Sequence, residues 1–277
     1  MEMFTIKGEP QFITEARRQI LNEFEDLEFF EEGHRYLLHG QSLPSVSGVG
    51  HRFIREPFDE AKQAARYALK NGKTAEYWIR EWKLNSFRAT TLGTKTHEFG
   101  ESLGYLRTGH PELIHPHILP QYNKEYDYLA PIHPKEEAVI KFFAEMPETM
   151  HLVLNETKVY SGKNPDASKN LKEQICGTFD MLYYDEDKGG FVILDYKTNG
   201  TLYSDYNQRF GKTLLPPFDG MIEESLSLYT IQLSLYALML EDIGLKVVDR
   251  RIVWLTNEGN YKVISVPDVS EKLRKVI

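Results

Sequence analysis

The stretch Cys176-Gly177-Thr178-Phe179-Asp180-Met181-Leu182, continued after a turn by Ile193-Leu194-Asp195-Tyr196-Lys197-Thr198-Asn199, decides how the chain reads. Its two apolar runs flank Asp185-Glu186-Asp187-Lys188-Gly189-Gly190. An acidic turn with paired glycines between apolar segments predicts a β-hairpin. Each strand carries an acid, Asp180 and Asp195, and Lys197 stands two residues beyond the second. The strand period of two puts Asp195 and Lys197 on one face and Tyr196 on the other. Two carboxylates and an ammonium gathered on one patch of sheet are costly to bury by themselves. A divalent metal bound to a phosphate would compensate them.

Outward from the hairpin, residues 151–160 read as a strand with Glu156 and Lys158 on one face. Residues 226–243 read as a helix with a stripe of Leu228, Ile231, Leu235, Leu238 and Met239, ended by Gly244. Gln232 and Tyr236 lie four apart at the edge of that stripe. A second hairpin, 247–255 and 261–266, alternates around Asn257-Glu258-Gly259-Asn260. Upstream, 13–24 reads as a peripheral helix, 29–38 as a short hairpin, and Ser45 or Ser47 as a helix cap. The 57–88 segment is helical, broken at Asn71-Gly72. Its aromatics Tyr67, Tyr77, Trp78 and Trp82 read as helix contacts, and its interspersed basic residues as a solvated face, with phosphate tracking the sharper reading.

A further helix is expected to open at Thr90 or Thr91 and to place Gly93, His97 and Glu101 on one face. Residues 109–134 lack periodicity and read as a long surface loop whose His110, His115, His117 and His133 are scattered loop histidines. Residues 135–146 predict a short amphipathic helix, 161–173 a polar hairpin tip, and 200–225 nothing periodic. The whole predicts an α/β fold: a central mixed sheet flanked by helices, with a helical N-terminal half packed on it. No linker divides it, so one domain over residues 1–277 is expected, with an N-terminal helical region (1–90) and a core (91–266).

A chain of 277 residues with 41% hydrophobic and 12% aromatic content can bury a substantial core. No apolar run approaches the roughly 20 residues of a membrane helix, and Met1-Glu2-Met3-Phe4-Thr5 has no signal-peptide pattern. The single cysteine, Cys176, excludes an internal disulfide and a four-cysteine metal or iron–sulfur site, which makes a cytoplasmic location the expectation. A net charge of −8 argues against a broadly basic nucleic-acid binder and leaves room for a local basic groove.

Five segments now stand in order: Gly93-Thr94-Lys95-Thr96-His97, Glu156 on a strand, Gly177-Thr178-Phe179-Asp180, Leu194-Asp195-Tyr196-Lys197-Thr198, and Gln232 with Tyr236 on a helix. This order resembles the PD-(D/E)xK nuclease superfamily, in particular the branch typified by the RecB nuclease domain and its stand-alone viral exonuclease relatives. Leu43-Pro44-Ser45-Val46-Ser47 is similar to the lead-in of such members. The resemblance implies a restriction-endonuclease-like core and Mg²⁺ or Mn²⁺ as cofactor. His97, Asp180, Asp195 and the main-chain carbonyl of Tyr196 would be the metal ligands. It further implies Lys197 as the residue that orients or helps deprotonate the attacking water, and Glu156 as an auxiliary acid. Gln232 and Tyr236 would contact the DNA backbone and brace the site, and Glu101 would support His97. The chain departs from the pattern in carrying Phe179 for the superfamily's proline and Asp195 where many members have Glu. The implied function is a metal-dependent DNA exonuclease in repair, recombination or phage DNA processing, with DNA as partner. A nicking or structure-specific endonuclease of the same fold and a catalytically inactive DNA-binding module are the alternatives. A homo-oligomer or a recombination partner protein is left open.

Overall fold

The computed structural model describes residues 6, 8–30, 32–33, 35–162 and 171–277. Helix α1 (Gln11–Glu23) leads into a small antiparallel sheet of β1 (Leu27–Phe30), β2 (Arg35–Leu38) and β3 (Gln41–Leu43). Ser45 caps helix α2 (Val46–His51), its side chain accepting from the Gly48 amide. Helix α3 (Glu60–Asn71) ends where Gly72 takes a left-handed φ of 65°, the conformation a glycine C-cap supplies without steric cost.

Helix α4 (Ala75–Arg107) then runs for 33 residues. The helix start expected at Thr90 or Thr91 does not exist. Thr74 caps α4 by accepting from the Tyr77 amide, and no glycine or proline breaks the helix before the threonines. Residues 83–91 of α4 are exposed on every side. The aromatics expected to be helix contacts pack on one another between α3 and α4, with Tyr67 4.9 Å from Trp78 and 5.7 Å from Trp82. The N-terminal half is thus not uniformly laid on the core sheet. Helices α1 and α2 pack there, whereas α3 packs against α4.

The expected long surface loop is also corrected. It contains two 3₁₀ turns and a two-stranded pair, β4 (Tyr122–Asn123) with β5 (Tyr128–Leu129). It buries Ile114, Ile118 and Leu129 at 4%, 1% and 0% exposure. Three well-separated apolar residues leave no helical or strand period to read, yet each fills a hole in the core. Helix α5 (Pro134–Ala144) follows.

The main sheet has β6 (Met150–Tyr160), β7 (Cys176–Asp185), β8 (Gly190–Lys197), β9 (Val247–Leu255) and β10 (Tyr261–Ser265), in the order β10-β9-β8-β7-β6. Strand β8 pairs antiparallel with β7 and parallel with β9. The parallel step needs a crossover, and it contains the short α6 (Asp205–Arg209) and α7 (Ser225–Asp242). Helix α8 (Ser270–Val276) closes the chain. Most of the polar tip expected over 161–173 lies outside the described residues.

Both faces of the sheet are covered. Leu182 and Ile193 join the core shared with α1, α2 and α7, while Met181, Leu194 and Tyr196 join the core under α4 and α5. Two-sided burial explains why β8 reads as a continuous apolar run rather than an alternating one. The fold is therefore mixed α/β with a five-stranded mixed sheet, as expected at that level.

Candidate metal centre

The site lies where two strands part. Pairing of β7 with β8 runs from Asp185–Gly190 to Met181–Leu194 and goes no further. Past that point the Tyr196 N–H donates to Asp180 Oδ2 at 2.6 Å in place of a strand carbonyl. In an extended strand a residue's N–H and C=O leave the same side of the backbone. The Tyr196 carbonyl accordingly points toward the β7 side of the fork, where Asp180 stands.

On the far side of β7, Asn155 pairs with Met181 and Thr157 with Phe179, so Glu156 stands opposite Asp180. Glu156 has a φ of 38°, unusual for a non-glycine residue and costing on the order of 1–3 kcal/mol. That kink interrupts the ladder and turns the Glu156 carboxylate toward the cluster.

His97 arrives from α4, which lies close on the sheet because Gly100 faces the Tyr196 ring. Its Nδ1 is 3.2 Å from Asp180 Oδ1 and 3.7 Å from Glu156 Oε1. One donor atom from each of His97, Glu156 and Asp180 lies within 4.8 Å of the others. Asp195 is not in that trio. It is ion-paired to Lys197 Nζ at 2.5 Å and approached by Gln232 Nε2 at 3.5 Å. Of the residues implied as ligands, His97 and Asp180 stand together, Glu156 joins them, and Asp195 forms the adjoining half of the site.

The charges of the protein alone are strained in a consistent direction. Burial pushes the Glu156 carboxyl up to about 8, reinforced by the Asp180 charge and opposed by His97. Burial likewise lifts Asp195 to about 6, with Asp180 adding and Lys197 opposing. Burial also acts to raise Asp180, yet His97, Lys197 and the Tyr196 amide outweigh it and hold this carboxyl below its ordinary range. His97 and Lys197 are both raised, because neighbouring carboxylates overcome the burial that would lower them. The neighbouring carboxylates thus favour the ammonium form of Lys197.

One imidazole nitrogen with carboxylate oxygens from buried Asp180 and half-buried Glu156 forms a donor set that suits a hard divalent ion, Mg²⁺ or Mn²⁺. The spacing agrees. Charge-assisted N–H···O bonds close to about 2.7–2.9 Å, whereas the His97 contacts stand at 3.2 and 3.7 Å. Groups ligating one ion are held about 3 Å apart by coordination distances of roughly 2.1 Å.

Around this centre, Tyr236 is buried at 2% exposure and donates to the Thr178 carbonyl at 2.6 Å. It braces β7 and has no free face for DNA. Glu101 accepts from the Tyr105 hydroxyl at 3.2 Å, whereas His97 faces Asp180 and Glu156. Two residues escaped the sequence reading. Lys197 Nζ lies 4.2 Å from the Tyr229 ring centroid, and Tyr229 donates to Asn199 Oδ1 at 2.7 Å. Tyr229 precedes Gln232 by three and Tyr236 by seven, so helical spacing contained the signal. Buried Lys135 donates to the carbonyls of Thr198 and Leu255, each at 2.9 Å, pinning the ends of β8 and β9. No local pattern announces that role.

Burial pushes Glu101 up to about 7, with Glu98 and Asp180 adding and the Tyr105 hydrogen bond opposing. A raised carboxyl stabilises the fold below its unfolded value, and that contribution is lost as pH rises through the folded one. Glu101→Gln should therefore match wild type near pH 4.5 and exceed it at pH 8 by on the order of 2 kcal/mol. Denaturant melts in EDTA at both pH values check this; a constant difference would refute it.

No family model matches the chain. A 110-residue part, 40% of the chain, is 31% identical to an ATP-dependent helicase/nuclease subunit from Thermoanaerobacter sp. (strain X514). The same protein of Thermoanaerobacter pseudethanolicus (strain ATCC 33223 / 39E) matches at the same identity over the same length. The matched segment spans 7% of each relative. Part of this chain is thus distantly similar to a component of a helicase/nuclease.

Proposed function

We propose that the chain is a divalent-metal-dependent nuclease of the PD-(D/E)xK superfamily, in its RecB-like branch, that hydrolyses DNA phosphodiester bonds. The observation that carries the reading is the joining of the His97–Glu156–Asp180 trio to the Asp195–Lys197 pair at the β7–β8 fork. The partial similarity to a helicase/nuclease protein is consistent with it.

In this reading Asp180 and His97 would hold the metal together with Glu156 or Asp195 and the Tyr196 carbonyl. The metal, when bound, supplies Lewis-acid polarisation of the phosphate and a more acidic water. The chain's own groups do the rest. Asp195 and the Tyr229 ring aim the Lys197 ammonium, which stabilises negative charge growing on the phosphate. Gln232 fixes Asp195 from α7, Tyr236 fixes β7, and Lys135 fixes the strand end beyond Lys197.

Helix α4 offers the substrate a path. Between residues 59 and 95 the chain has eight basic and four acidic residues, against a net −8 for the whole. Arg80, Lys83, Phe87, Thr90, Thr94 and His97 follow at alternating spacings of three and four, one stripe along the helix that ends at the proposed metal centre. Arg80, Lys83, Phe87, Thr90 and Thr94 are exposed. Among the described residues Lys83 pairs with Glu60 at 3.8 Å on the surface, a contact of little strength. A DNA strand lying on this stripe has two cations for phosphates and one ring for a base.

Wild type should degrade linear DNA with Mg²⁺ or Mn²⁺ and not with EDTA; inertness under both ions would end the nuclease reading. Parallel digests of linear and closed circular DNA separate exonuclease from endonuclease. The double reversal Arg80→Glu/Lys83→Glu should weaken DNA binding in EDTA. It should also flatten the log–log salt dependence by at least roughly 1.4–1.8, the share of two phosphate contacts. Unchanged slope and affinity would remove α4 from the DNA path.

A further inference from the structure

The loop histidines read as scattered by sequence are not scattered in space. His115 Nε2 lies 3.6 Å from Glu98 Oε1, and His117 Nδ1 lies 3.3 Å from the same oxygen. One donor atom from each of Glu98, His115 and His117 falls within 4.8 Å of the others. Glu98 follows His97 on α4 and so projects about 100° around the helix from it. The two groups of ligand-type residues are distinct, with no residue in common.

We infer that Glu98, His115 and His117 form a second metal site, selective for a borderline transition ion of the Zn²⁺ class and separate from the proposed nuclease centre. The distances fit a metal site, with His117 Nδ1 equally far, 3.3 Å, from both Glu98 oxygens. Imidazolium–carboxylate hydrogen bonds close to about 2.7–2.9 Å, and these contacts are longer, at 3.3 and 3.6 Å. Ligand atoms at the corners of a zinc tetrahedron, with arms of roughly 2.0–2.1 Å, are about 3.3 Å apart. Two imidazoles with one carboxylate favour Zn²⁺ over the oxygen-seeking Mg²⁺, and three protein ligands leave the fourth position to water.

The scaffold holds the loop in place for this. Ile114 and Ile118 are buried on either side of the His115-Pro116-His117 segment. The His115 N–H donates to Ser102 Oγ of α4 at 3.0 Å. The His115 carbonyl accepts from the amides of Ile118 at 2.8 Å and Leu119 at 3.0 Å. His117, with a side chain 71% exposed, completes the trio from the solvent side. A bound ion would clamp the loop to the helix that presents His97.

The test uses the EDTA-stripped full chain in an Asp180→Asn background, which disables the first centre. Calorimetric titration with Zn²⁺ alone should show one equivalent bound, and Co²⁺ alone should give the intense visible bands of a tetrahedral site. Adding His117→Ala, or separately Glu98→Gln, should abolish both signals, while Mg²⁺ produces no heat in any of these proteins. His117 is exposed, so its removal leaves the fold intact, and the single His117→Ala variant should digest DNA in Mg²⁺ as wild type does. Absence of Zn²⁺ binding in the Asp180→Asn protein, or binding unchanged by His117→Ala and Glu98→Gln, would overturn the inference. Neither outcome depends on whether the chain is a nuclease.

Discussion

Asp180→Asn is expected to reduce DNA hydrolysis by on the order of 10³-fold or more, a barrier increase of about 4 kcal/mol. No other side chain serves so many parts of the site. One carboxylate oxygen faces His97 at 3.2 Å and the other accepts the Tyr196 amide at 2.6 Å. Its charge keeps His97 protonated in the protein alone and lifts both Glu156 and Asp195. An asparagine keeps the shape and the Tyr196 hydrogen bond but removes the charge. The fold should survive, with melting in EDTA lowered modestly: the charge that His97, Lys197 and the Tyr196 amide stabilise is lost, and relief of Glu156 and Asp195 offsets part of that loss. Calorimetry should show that binding of Mg²⁺ and Mn²⁺ at this centre is lost. Lys197→Ala provides the contrast: metal binding retained, turnover down about 10²–10³-fold. Activity of Asp180→Asn within tenfold of wild type at saturating Mn²⁺ would refute the proposed centre.

Gly100→Ala is the second large effect, and opposing terms make it informative. In an ordinary helix interior alanine is better than glycine by about 1 kcal/mol. Here an added Cβ would stand 2.6 Å from Tyr196 Cε2 and 3.0 Å from Cζ and the hydroxyl oxygen. The ring cannot retreat. It is 1% exposed and packed edge-on against both His97 and Phe142. Overpacking of this kind costs about 1–3 kcal/mol, and because the Tyr196 ring cannot move the upper part of that range applies, a net loss of up to about 2 kcal/mol. The helix must also lift where it presents His97 one turn away, and Mn²⁺ affinity should fall with stability. Gly93→Ala is the control, since its Cβ would meet only Thr198 Oγ1 at 3.3 Å. Thermal melts should rank Gly93→Ala at or above wild type and Gly100→Ala below it. The reverse order would mean that α4 does not rest on Tyr196.

Much of the sheet was legible because its signals are local. Strand period, the Asp185–Gly190 turn and the Leu228–Met239 stripe each lie within one element, and β6 to β10 with α7 fall where they were expected. The pairing of Asp195 with Lys197 followed from the same period. What failed was also local in origin. Thr90 and Thr91 look like caps, but capping requires a chain that enters the helix there, and Thr74 had already supplied the start. Residues 109–134 look like loop because Ile114, Ile118 and Leu129 have no common period, although each is buried.

The sequence by itself determined the strands, their faces, the α7 crossover, and the identity of the acids, lysine and histidine that carry charge. It did so because side-chain direction follows from element type over a few residues. Only the tertiary structure decided which of those charges meet. It parted β7 from β8 beyond Met181–Leu194 and kinked β6 at Glu156. It laid α4 against Tyr196 through Gly100, so that His97 faces Glu156 and Asp180 while Asp195 turns to Lys197. It also carried His115 and His117 to Glu98 across a stretch with no readable period. Distances of a few ångströms between segments far apart in the chain are set by packing, and packing is not written in any single segment.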